Sequence, residues 1–125
     1  MIHSEFVNSE FPFYVKSTGN RSMTIMTPFT HHTGKPIEVS LMKQRDGSWT
    51  GSDNLTLWMI NGRKNFTEKE IKAVENITIE GVEINIEGEG ERGWIIGSFS
   101  EDPLKAVIGV VQAIITVETI IKQSQ

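Results

Sequence analysis

Two stretches in the first half of the chain alternate between apolar and polar residues. Met23-Thr-Ile-Met-Thr27 alternates up to Pro28, and Pro36-Ile-Glu-Val-Ser-Leu-Met-Lys43 does so more cleanly. In the second stretch Ile37, Val39 and Leu41 share one face, leaving Glu38, Ser40 and Lys43 for solvent or the opposite side. A period of two marks a strand with one buried face, and Pro28, which has no N–H to give a ladder, ends the first of them. Asp46-Gly47 supplies the positive φ of a tight hairpin turn and folds Ser48-Trp49-Thr50 back along the second strand. Three antiparallel strands are expected, with residues 28–36 as the loop between the first two. Further on, Val82-Glu-Ile-Asn-Ile-Glu87 alternates strictly, and Trp94-Ile-Ile-Gly-Ser-Phe99 is its expected partner across the loop 88–93.

The period changes at two places. Thr67-Glu-Lys-Glu70 has the spacing of a capping box, which predicts a short helix over 68–76 with Ile71 and Val74 facing inward. From Leu104 to Ile121 the positions Lys105, Gly109, Gln112, Thr116 and Thr119 recur at helical spacing, preceded by Asp102 as N-cap and Pro103 at the first helical position. Apart from Glu118 the rest of this segment is apolar, an arc far wider than the ~100° a helix needs to cover one core. Such a helix calls for cover on two sides: its own sheet, and either a second helix or a second subunit. Val110, Val117 and Ile121 cannot all face the same sheet as Ile108 and Ile115, so they are assigned to a symmetric homodimer contact. A membrane span is not expected, because twelve uncharged residues separate Lys105 from Glu118, short of the ~20 a span needs. Residues 1–20 show no clear period, and Leu55-Thr-Leu-Trp-Met-Ile60 is too short to assign as strand or helix.

These elements predict a single α+β domain over residues 1–125: a mostly antiparallel sheet of about five strands, with a short helix and a long C-terminal helix packed on it. At 125 residues with 38% hydrophobic and 22% charged residues, the chain lies in the range of folded globular domains. The absence of cysteine excludes disulfides, thiolate metal sites and cysteine nucleophiles. With no basic and apolar leader at the start, a cytoplasmic location is expected, and the sequons at Asn20, Asn54, Asn65 and Asn76 are read as chance.

Several patterns invite a chemical reading. Gly88-Glu-Gly-Glu-Arg-Gly93 matches G-x-G-x-x-G, but a strand follows it where a dinucleotide site needs a helix, and Glu89 and Glu91 would repel phosphate. It reads as a hairpin loop, and no cofactor is expected. His31 and His32 stand side by side in the 28–36 loop, where an extended backbone points them to opposite faces. Glu38 and His3 lack the spacing to complete a site with them, so no metal is expected and the histidines read as exposed loop residues. Asp46 is explained by its turn, and Asp53 is a candidate cap. No nucleophile, base and oxyanion donor occur together at motif spacing, so no catalytic residue is assigned and the chain is read as a non-enzyme. Trp49, Trp58 and Trp94 lie in strands or apolar runs and are read as core.

The net charge of −4 is unevenly spread: residues 75–102 hold eight acids against Arg92 alone, while residues 1–62 balance. That sign disfavours direct nucleic-acid binding. Glu83 and Glu87 share one strand face, and Glu89 and Glu91 extend it, which gives a continuous acidic edge assigned to a basic protein partner.

Thr27-Pro-Phe29, the hairpin at Asp46-Gly47 and Ser52-Asp-Asn-Leu55 together resemble a family of uncharacterised prokaryotic domains found in bacterial and phage proteins. The resemblance covers about a third of the chain. It implies an α+β fold and mobile-element surroundings, and adds no site. The expectation is therefore a non-enzymatic protein-binding module, a phage or mobile-element accessory protein that neutralises a host or toxin protein through its acidic edge. Two alternatives stay open: a small hydrolase or ligand-binding domain using the His31/His32 loop and Asp53, and a structural homo-oligomer joined by the C-terminal helix.

Overall fold

The computed structural model describes residues 12–53, 66–85 and 95–123. Six strands and two helices follow in chain order: β1 (Tyr14–Thr18), β2 (Ser22–Thr30), β3 (Pro36–Lys43), β4 (Trp49–Ser52), α1 (Glu68–Glu75), β5 (Val82–Asn85), β6 (Ile95–Ser100) and α2 (Pro103–Gln123). The strands form one sheet in the order β1-β2-β3-β4-β6-β5, antiparallel throughout. The architecture is α+β, with α2 lying against β3, β4, β5 and β6 and α1 packed on α2.

Local chemistry accounts for most of the boundaries. Gly47 takes φ 91° in the turn between β3 and β4, and Asp46 Oδ1 accepts from the Ser48 backbone N–H and hydroxyl. Both hydrogen bonds of the expected capping box are made: Glu70 N–H donates to Thr67 Oγ1, and Thr67 N–H to Glu70 Oε1. At the start of α2 the Leu104 N–H donates to Asp102 Oδ1 at 2.9 Å. Pro28 does not end its strand, however. β2 runs on to Thr30, with a register shift between Met26 and Thr30 that holds the proline where no ladder donor is required. The loop accordingly shrinks to residues 31–35. β1 was not foreseen, because it is an edge strand with Tyr14 66% exposed and no alternation in burial.

The core lies between the sheet and α2. Met23, Ile25, Ile37, Val39, Leu41, Trp49 and Ile96 come from the strands, and Val107, Val110, Ile114 and Val117 from the helix. Two glycines let the layers approach: a Cβ at Gly51 would fall 2.6 Å from Ser98 Oγ, and one at Gly109 would fall 2.8 Å from Val82 Cγ2. Gly109 is therefore buried, while Lys105, Gln112 and Thr119 of the expected polar stripe are exposed.

The burial pattern on the other side of the helix corrects the dimer assignment. Val110, Val117 and Ile121 are all buried within this chain, at 0%, 0% and 3% exposure, whereas Ile115 is 42% exposed. The second cover foreseen for α2 includes α1. By length and composition α2 would suffice to cross a membrane, yet 56% of its most apolar window is buried in the fold. Trp58, Trp94, the 55–60 run, the 88–93 loop and the acids Glu87, Glu89 and Glu91 lie outside the described residues.

Candidate partner-binding surface

α2 covers one face of the sheet, and the strand period decides what the other face displays. Trp49, Gly51, Ile96 and Ser98 are buried on the helix side, so Thr50, Ser52, Gly97 and Phe99 point the opposite way. The register sets Thr50 opposite Phe99, Ser52 opposite Gly97, and Gly97 opposite Glu83 on β5. Phe99 is 54% exposed. Around Gly97, the residues Thr50, Ser52, Glu83 and Phe99 enclose a hollow of about 600 Å³.

A second hollow of about 850 Å³ opens where β6 leads into α2. Ile79, Leu104 and Ile108 supply apolar walls, and Glu80, Glu101, Asp102 and Lys105 supply charge. Gly81, Ser98 and Phe99 line both hollows. Among the described residues that line them, the carboxylates Glu80, Glu83, Glu101 and Asp102 face a single cation, Lys105. Like charges at this density create a local negative potential that attracts a cationic ligand. Of the four acids assigned to partner binding from the sequence, Glu83 stands on this surface. Glu80, Glu101 and Asp102 come to it from two turns that sequence spacing does not connect.

The histidine loop takes a different form from that expected. The side chain of His31 is fully buried, with Nδ1 3.0 Å from Glu118 Oε2. The His32 backbone N–H donates to the other oxygen of Glu118 at 3.1 Å. Glu118, the acid interrupting the apolar run of α2, thus pins the β2–β3 loop to the helix. The other ring nitrogen, Nε2, is buried without a hydrogen-bond partner among the described residues. His32 is exposed. Asp53 is buried, and its Oδ1 accepts from the Ile96 N–H at 3.0 Å, tying the end of β4 to β6. Among the described residues no three His, Cys, Asp or Glu side chains come together as a metal site requires. At the exposed turn, the two donors of Ser48, its hydroxyl first and then its N–H, hold the Asp46 carboxyl below its ordinary value.

Comparison with protein-family models, curated proteins and solved structures gave no match.

Proposed function

We propose that the protein is a non-enzymatic binding module that takes a basic protein partner on the surface where β4, β6 and β5 meet the start of α2. The observation that carries this reading is Phe99, a large aromatic side chain more than half exposed, set between two hollows edged by Glu80, Glu83, Glu101 and Asp102. Aromatic side chains of this kind act as anchors in protein interfaces. A surrounding field of one sign speeds encounter with an oppositely charged partner and rejects others. The buried engagement of His31 and Asp53 weighs against the hydrolase alternative. A module of this kind acts by occupying a basic surface, as an accessory protein that neutralises a host or toxin protein does, and its cysteine-free composition suits a reducing cytoplasm.

A displayed library of random peptides, selected on the full chain, tests the reading. Peptides rich in arginine or lysine and carrying an apolar residue are expected on the wild type, and capture should collapse on a variant carrying Glu80→Lys, Glu83→Lys and Glu101→Lys. Enrichment of acidic or neutral peptides, or equal capture by the variant, would overturn it.

A further inference from the structure

Among the described residues, none requires position 97 to be glycine. Its backbone does not take the left-handed conformation, and among the described residues a Cβ there would meet nothing nearer than the Gly51 carbonyl oxygen at 3.8 Å. Glycine inside a strand weakens it through chain entropy and the loss of a packing side chain, and often marks a place where a ligand comes close to the backbone. The site around it has a definite chemistry. Phe99 follows two residues along the same face, about 7 Å away by strand rise. Glu83 and Ser52 stand directly across from Gly97 on the two neighbouring strands. An exposed ring and a carboxylate thus border a hollow floored by bare backbone.

We infer that this hollow is a subsite for one arginine side chain of the basic partner, an assignment that rests on the proposed function above. A guanidinium has two flat, weakly hydrated faces and a rim of N–H donors. It is best held by an aromatic face to lie against and acceptors at its edge. Phe99 supplies the first, and the Glu83 carboxylate the charge-assisted acceptor. The open floor at Gly97 lets the side chain come down between them. A lysine satisfies the charge of Glu83 but has no plane to lay on the ring, and a neutral side chain leaves the carboxylate desolvated without a partner.

The test is a titration of the ¹⁵N-labelled full chain with acetyl-Gly-Arg-Gly-amide and with its lysine and norleucine counterparts, followed through backbone amide shifts. The arginine peptide is expected to move the amides of Ser52, Glu83, Gly97 and Phe99, the lysine peptide to do so more weakly, and the norleucine peptide not at all. Gly97→Val fills the hollow and should weaken the arginine peptide about tenfold or more, with the rest of the spectrum and the melting temperature retained. Glu83→Gln, which keeps the shape and removes the charge, should reduce the arginine response toward that of norleucine. Equal responses to arginine and lysine, or an arginine response that survives Gly97→Val, would overturn the subsite. Because library peptides selected on the wild type would still be basic in either case, failure of the subsite is distinguishable from failure of the basic-partner reading.

Discussion

Where α2 lies on the sheet, a methyl group added at Gly51 would fall 2.6 Å from Ser98 Oγ and 3.1 Å from the Ala106 carbonyl oxygen. One added at Gly97, on the neighbouring strand and the opposite face, would meet, among the described residues, only the Gly51 carbonyl oxygen at an ordinary 3.8 Å. The same residue type thus answers to two demands. On the inner face glycine is required by packing: Ser98 Oγ donates to the Ala106 carbonyl at 2.7 Å, so the helix backbone sits almost on the strands. On the outer face none of the described residues requires it, and the polar residues differ in the same way. Inside, Glu118, His31 and Asp53 are buried and hydrogen-bonded to other elements of the chain, whereas outside, Glu80, Glu83, Glu101 and Asp102 face solvent. The polar groups named on the covered face are tied to other elements of the fold, whereas the exposed acids are open to solvent, Asp102 while also capping α2.

Substitutions can break or sharpen this contrast. The largest effect is expected from Glu118→Ala, which leaves the buried His31 imidazole and the His32 N–H without their acceptor. Each buried polar group left unsatisfied typically costs about 1–3 kcal/mol, so the two together are expected to exceed any other single change, and a loss of unfolding free energy below ~1 kcal/mol in urea would show that Glu118 does not hold the loop. Gly51→Ala comes next, at about 1–3 kcal/mol for overpacking against backbone and a hydrogen-bonded hydroxyl. Gly97→Ala is expected to be neutral or to stabilise by up to about 1 kcal/mol. Equal losses at Gly51 and Gly97 would erase the distinction between the faces. The smallest effect is expected at Asp46, whose carboxyl is held below its ordinary value in the folded turn. The charged form therefore stabilises the fold above the unfolded carboxylate range, and that contribution is lost as pH falls through the folded value. Asp46→Asn should lower the midpoint slightly at pH 7 and have no effect in strong acid.

Much of the fold was legible because its signals are local. Alternation marked β3 to the residue, the capping box placed α1, and Asp102-Pro103 opened α2. The failures were those of position relative to something distant. β1 is an edge strand on which Val15 is the one half-buried residue, packed against the core, so its sequence carries little period. Pro28 ended a strand in the reading but sits in a bulge in the fold. On α2 the polar stripe at Lys105, Gln112 and Thr119 does face solvent, but with apolar residues on both flanks the sequence does not say which flank the sheet takes: Val110, Val117 and Ile121 belong to the core and Ile115 is exposed. The candidate surface was legible only at Glu83. Phe99 was read as a strand residue and Asp102 as a cap, and their meeting with Glu80 depends on β5 and β6 pairing beside the start of α2. His31 and Glu118 lie far apart in sequence, and a lone acid in an apolar helical run was the one hint of their pairing.

The most direct test of the account is to map one selected library peptide onto the full chain by amide chemical shifts. The account predicts changes clustered at Glu83, Gly97, Phe99, Glu101 and the first turns of α2, sparing both the β2–β3 loop around His31 and His32 and the solvent flank at Ile115. Changes centred on the histidine loop, or on Ile115 and its neighbours, would contradict it.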